Sequence, residues 1–189
     1  MSRRVQTAVL LALWPFAGTA MGAVDPAAGT TPAAPALALP DAGPVAVRWN
    51  DPATFTELRT GAGRRDNTNR GDWVRQLAEH LRASAQPRLA EGERLEVVIT
   101  DIKRAGDFEP WHDPRYQDVR IVRDIYPPRI SLSWRRLDAD GRVLDQGERR
   151  IVDGGFLVDG TSVNASDPLR HEKRLIDRWV RTQFAHSGA

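Results

Sequence analysis

The 189-residue sequence contains no cysteine. Disulfides, thiolate nucleophiles, Cys-ligated zinc and iron–sulfur centres are therefore excluded, and so is a lipid-modified N-terminal cysteine. Lysine is almost missing as well: of 27 basic residues, only Lys103 and Lys173 are not arginine. No apolar run reaches the ~20 residues that a membrane span needs. Reaction motifs are equally scarce. The sequence holds no HExxH pair, no EF-hand spacing and no GxSxG elbow. Gly61-Ala62-Gly63 matches only a fragment of a phosphate loop, without the closing Lys-Ser/Thr. No cofactor is implied, and a non-catalytic protein is expected over an enzyme.

The chain does have an N-terminal address. Arg3 and Arg4 precede a mostly apolar stretch, Val5 to Phe16, and small residues follow at Ala17, Gly18, Ala20, Gly22 and Ala23. This pattern predicts a cleaved Sec-type signal peptide over residues 1–22, hence a periplasmic or secreted protein. The signal accounts for the basic excess. The whole chain carries 27 bases against 25 acids, and cleavage removes two arginines and no acid. A neutral exported chain argues against nucleic acid as partner. Residues 23–44 are rich in alanine and proline and predict an extended linker. Residues 45–189 remain as a single domain of ordinary size.

Within that domain, Val45, Val47 and Trp49 alternate with polar or small residues, marking a strand with one buried face. Asp72 caps an expected helix whose Trp73, Leu77, Leu81 and Ala85 recur every four residues, and Pro87 ends it. Leu95, Val97 and Ile99 share one face of a second strand. A further strand is expected at 119–122. Ile130, Leu132 and Trp134 open a hairpin that turns at Asp140-Gly141 and returns through residue 152. Asp167 and Pro168 predict the start of a last helix, with Leu175, Ile176, Trp179 and Phe184 on its buried stripe. The expected fold is α+β: a single, mainly antiparallel sheet of about five strands, with two helices packed on one face.

Chemistry concentrates in two places. Asp101, Asp107, Glu109, His112 and Asp113 lie close together in sequence, a density that suits a hard cation or a hydrolytic site. This acidic stretch, 101–118, is the basis of the alternative reading as a metal-dependent or hydrolytic enzyme. Lys103, Arg104 and Arg115 are interleaved and can neutralise the acids instead. Trp111 is a candidate contact residue within the same loop. On the last helix, Arg170, Arg174, Arg178 and Arg181 fall in one angular sector, a guanidinium row able to hold an anionic group. His80, His171 and His186 receive no role.

The segments Val45-Ala46-Val47-Arg48-Trp49-Asn50-Asp51-Pro52, Ala105-Gly106-Asp107-Phe108-Glu109-Pro110 and Val119-Arg120-Ile121-Val122-Arg123-Asp124-Ile125-Tyr126-Pro127-Pro128 are distinctive as a set. With them, residues 45–185 resemble an exported proteobacterial family, the domain of unknown function numbered three thousand and sixteen. The resemblance implies an exported single-domain protein and carries over no catalytic residue. The resulting expectation is a binding or envelope-accessory module whose partner is an envelope protein or an anionic envelope component.

Overall fold

A computed structural model describes residues 37–59, 72–109, 111, 119–158 and 166–185. Residues 1–22, expected as a signal peptide, most of the expected linker, the Gly61-Ala62-Gly63 segment, His112 and Asp113 lie outside the described residues.

The described residues form a five-stranded sheet, a small two-stranded sheet and three helices. In chain order the elements are β1 (Leu37–Ala38), β2 (Val45–Trp49), α1 (Thr56–Arg59), α2 (Asp72–Ala85), β3 (Arg94–Lys103), β4 (Asp107–Phe108), β5 (Arg120–Ile121), β6 (Arg129–Leu137), β7 (Val143–Val152) and α3 (Arg170–Gln183). The large sheet runs β1-β2-β3-β6-β7, and β4 pairs with β5 alone.

Five features depart from the sequence reading, the first being that α1 makes three helices where two were expected. The sheet is mixed, because β2 and β3 pair in parallel, with Val45 opposite Leu95 and Val47 opposite Val97. Two parallel strands need a long crossover, and the chain through α2 supplies it. Residues 120–121 do not join the large sheet. They pair with β4, where Phe108 faces Arg120. Asp167 does not cap α3 directly: it accepts from the Leu169 N–H at 2.8 Å in the turn before the helix, which begins at Arg170. Finally, Leu37–Ala38 extends the sheet edge against β2, and Leu39 is buried, so packing begins inside the Ala/Pro-rich stretch.

One face of the sheet carries the core. Val45, Val47, Leu95, Val97, Ile130 and Leu132 are nearly inaccessible, and α2 packs Val74, Leu77, Ala78 and Leu81 onto them. Leu175, Ile176, Trp179 and Val180 of α3 complete the layer. Each fully buried aliphatic or aromatic side chain contributes ~1.5–3 kcal/mol. A bulge between Ile99 and Asp101 keeps the pattern in phase: Ile99 opposes Leu132, and Ile102 still opposes Ile130 on the core side. Without the extra residue, Ile102 would turn to solvent. Gly147 has a comparable reason. A Cβ there would lie 2.8 Å from the Trp134 ring, which packs across the bare backbone.

The hairpin turns as expected. Asp138 accepts the Gly141 N–H at 3.1 Å, and Gly141 takes φ 84°, a conformation that favours glycine.

Candidate functional site

The loop after β3 folds down on the helices through buried charge. Glu57 of α1 is 2% exposed and sits between Lys103 (Nζ to Oε2, 3.3 Å) and Arg120, which bonds its other oxygen. The Arg104 N–H donates to the same carboxylate at 2.9 Å. Burial alone would raise the Glu57 pKa, but the charges of Arg120 and Lys103 and the Arg104 amide outweigh it and lower the pKa. Lys103 and Arg120 also donate to the Gly106 carbonyl, closing the loop on itself. Arg120 stacks over Phe108, and Arg104 over Trp73. These contacts fix a segment of irregular backbone that packing alone would leave loose.

The acids that suggested a metal are held apart. Asp101 receives the Thr56 N–H at 2.6 Å and the Thr56 hydroxyl at 2.7 Å, capping α1. Asp107 accepts from the Phe108 N–H and faces Lys103 at 3.4 Å. Glu109, 2% exposed, takes the Tyr126 hydroxyl at 3.0 Å and Arg123 at 3.2 Å. The bond to Glu109 raises the Tyr126 pKa, since ionising the phenol would end the donation. Among the described residues no group of three metal-ligating side chains converges. Trp111 stands 72% exposed at the rim of this loop.

The arginines of α3 turn toward the fold. Asp153, 1% exposed, is gripped by both terminal nitrogens of Arg178 at 3.1 and 3.2 Å and by Arg174 at 3.3 Å. Arg174 also donates to the Phe156 carbonyl, and Arg170 to that of Asp167. The row thus clamps the chain after β7 to the helix. Arg178 keeps 43% of its side chain exposed, and Arg181 is exposed.

Several polar residues acquire a place that the sequence left blank. Glu172 lies on the buried stripe of α3, three residues from Leu169 and four from Ile176, and accepts the Ala105 N–H at 2.7 Å. Burial raises its pKa. A glutamate at an apolar-stripe position was the available signal. His171 packs edge-on to Phe156 at 4.9 Å, and burial followed by the charges of Arg170 and Arg174 lowers its pKa below 6.5. His80, Ser84 and Asp177 meet between α2 and α3. His80 Nε2 lies 2.8 Å from Asp177, whereas Ser84 donates its proton to Asp177 and is 3.4 Å from the same Nε2. A relay needs the carboxylate and the serine on different ring nitrogens. This trio pins two helices together and activates no hydroxyl.

Among the described residues, nothing packs on the side of the sheet away from the helices. Arg48, Glu96, Arg135, Gln146, Glu148 and Arg150 are exposed there, and Arg135 pairs with Glu96 across the strands at 3.6 Å. Two shallow depressions of about 460 and 490 Å³ cross this face. Among the described residues no helix is long and apolar enough to cross a membrane.

A family model described as a protein of unknown function (DUF3016) matches residues 43–182. No curated protein and no solved structure matches the chain.

Proposed function

For this chain, which belongs to the DUF3016 family of proteins of unknown function, we propose the role of an exported, periplasmic or secreted module that binds another envelope protein and catalyses no reaction. The open sheet face carries this reading. It presents Arg48, Arg135 and Arg150 beside Glu96 and Glu148 on strands held from behind by the core. Alternating charge of both signs suits a protein surface of complementary pattern better than a uniformly anionic polymer. The acids at 101, 107 and 109 and the arginines at 170, 174 and 178 support it indirectly, since each already holds part of the fold together. The apolar start at residues 5–16 and the Ala/Pro-rich stretch after it support export on a tether.

The test is site-specific photocrosslinking in intact cells with the probe at Arg135 on the open face or at Arg75 on the outer side of α2. The expected result is a reproducible envelope-protein adduct from position 135 and none from position 75. No adduct, or a chain recovered only in the cytoplasm with residues 1–22 intact, would overturn the proposal.

A further inference from the structure

The last strand of the sheet has a free edge of unusual length. β7 runs ten residues, pairs with β6 on one side and, among the described residues, with nothing on the other. None of its residues is buried. Natural edges of this kind are blunted by charged side chains, lysine above all, by proline, a bulge or extreme shortness, and β7 carries four charges, Asp145, Glu148, Arg149 and Arg150. The sequence of β7, VLDQGERRIV, has neither proline nor lysine, and its one irregularity lies at the start, between the pairs of Val143 and Asp145.

Its hydrogen-bonding direction follows from the ladder. The Asp153 N–H donates to the Pro128 carbonyl, so alternation assigns the odd-numbered residues of β7 to β6. Gln146, Glu148 and Arg150 therefore point their backbone N–H and C=O groups outward. On the helix side, a groove of about 340 Å³ separates β7 from α3, lined by Arg149, Ile151, Leu175, Trp179 and Gln183 among others.

We propose that this edge pairs with β7 of a second copy of the chain, antiparallel about a two-fold axis at Gly147, joining two sheets into one of ten strands. The strand is complementary to itself in that register. Asp145 of each copy faces Arg149 of the other, and Gln146 faces Glu148. Both members of each pair lie on the same side of the sheet, as antiparallel pairing requires. Gln146 and Glu148 are the residues with outward backbone groups, so the hydrogen-bonded pairs fall where donors and acceptors are free. Asp145 accepts from Gln183 of its own α3 at 3.1 Å, which holds its carboxylate on the groove side where Arg149 also lies. Edge pairing across a two-fold axis gives a closed contact, not a growing fibre.

Sedimentation velocity on the purified full chain over a concentration series tests this. A reversible monomer–dimer equilibrium is expected. Glu148→Pro removes an edge N–H that β6 does not use, so it should leave the melting temperature nearly unchanged and weaken dimerisation by about tenfold or more. Asp145→Arg and Arg149→Asp should each be monomeric alone, because each places like charges opposite one another twice. Mixing the two variants should restore the dimer. A wild-type chain that stays monomeric throughout would sink the proposal. So would a dimer indifferent to Glu148→Pro, or charge variants that fail to rescue each other while remaining folded by circular dichroism.

Discussion

Glu57 and Asp153 are both buried acids held by two bases, yet their surroundings differ. Around Glu57 the bases are the less exposed, Lys103 buried and Arg120 half-buried, with side chains 7% and 17% exposed. Around Asp153 they reach water, with Arg174 at 22% and Arg178 at 43%. The first cluster anchors an irregular loop and a one-turn helix to the sheet. The second fastens the chain after β7 to a helix already secured by Leu175, Ile176 and Trp179. A buried ion pair is judged by what its removal strands in the interior, and the stranded charges differ at the two sites.

Glu57→Ala should therefore be the most damaging change. It leaves Lys103 and Arg120 without their carboxylate in a poorly hydrated place, and chemical denaturation should register a loss of roughly 3–5 kcal/mol. Asp153→Ala lets Arg174 and Arg178 turn to solvent, so a loss of roughly 1–3 kcal/mol is expected by the same measurement. Equal losses would mean that exposure of the bases does not govern the difference.

The buried acids Glu57 and Glu172 also respond to pH in opposite directions. Glu57 has a lowered pKa when folded, so its stabilisation is present above about 4.5 and is lost as pH falls through the folded value. His171 also has a lowered pKa, which makes the folded state less able to take up its proton. Its contribution is present above 6.5 and fades as pH falls from there toward the folded value. Glu172 acts in the opposite sense. Its raised pKa favours the fold in acid, and that contribution is lost as pH rises through the folded value. Melting curves from pH 4 to 8 should show His171→Phe flattening the decline between pH 7 and 5. Glu172→Gln retains an acceptor for the Ala105 N–H and should raise the melting temperature at pH 8 while changing little at pH 4. The smallest effect is expected at Arg75→Ala, which breaks an exposed pair to Glu79 at 2.9 Å and should lose only about 0.3–0.5 kcal/mol. A larger loss there would undercut the ranking by solvent access.

Much of the fold could be read from periodicity. The strand at 45–49, the helix from Asp72 and the 129–152 hairpin lie where alternation, four-residue spacing and the Asp-Gly turn place them. The direction of β2 against β3 could not be read, because one buried face gives the same alternation in parallel and antiparallel pairing. Pairing of β5 with β4, outside the large sheet, is equally invisible to alternation. A two-residue strand has too few positions to reveal which sheet it joins. The candidate site was legible in composition only. Asp101, Asp107 and Glu109 are neighbours in sequence, but the first caps α1, the second meets Lys103 and the third meets Tyr126 and Arg123. Arg174 and Arg178 of α3 lie within one helical turn of each other, but the Asp153 they bind is 21 and 25 residues away in sequence.

Side-chain type and spacing alone establish the exclusions and the long elements: no thiol chemistry, no membrane-length apolar run, and strands and helices whose apolar periods match one shared core. Those are local properties, set by side-chain type and spacing. Only the tertiary structure decided what the charged residues do. Whether a carboxylate meets a cation or another carboxylate depends on which distant segments meet. In this chain, folding brings Glu57 to Lys103 and Arg120, and Asp153 to Arg174 and Arg178. Among the described residues, it leaves Arg48, Glu96, Gln146, Glu148 and Arg150 exposed on the outer face of the sheet.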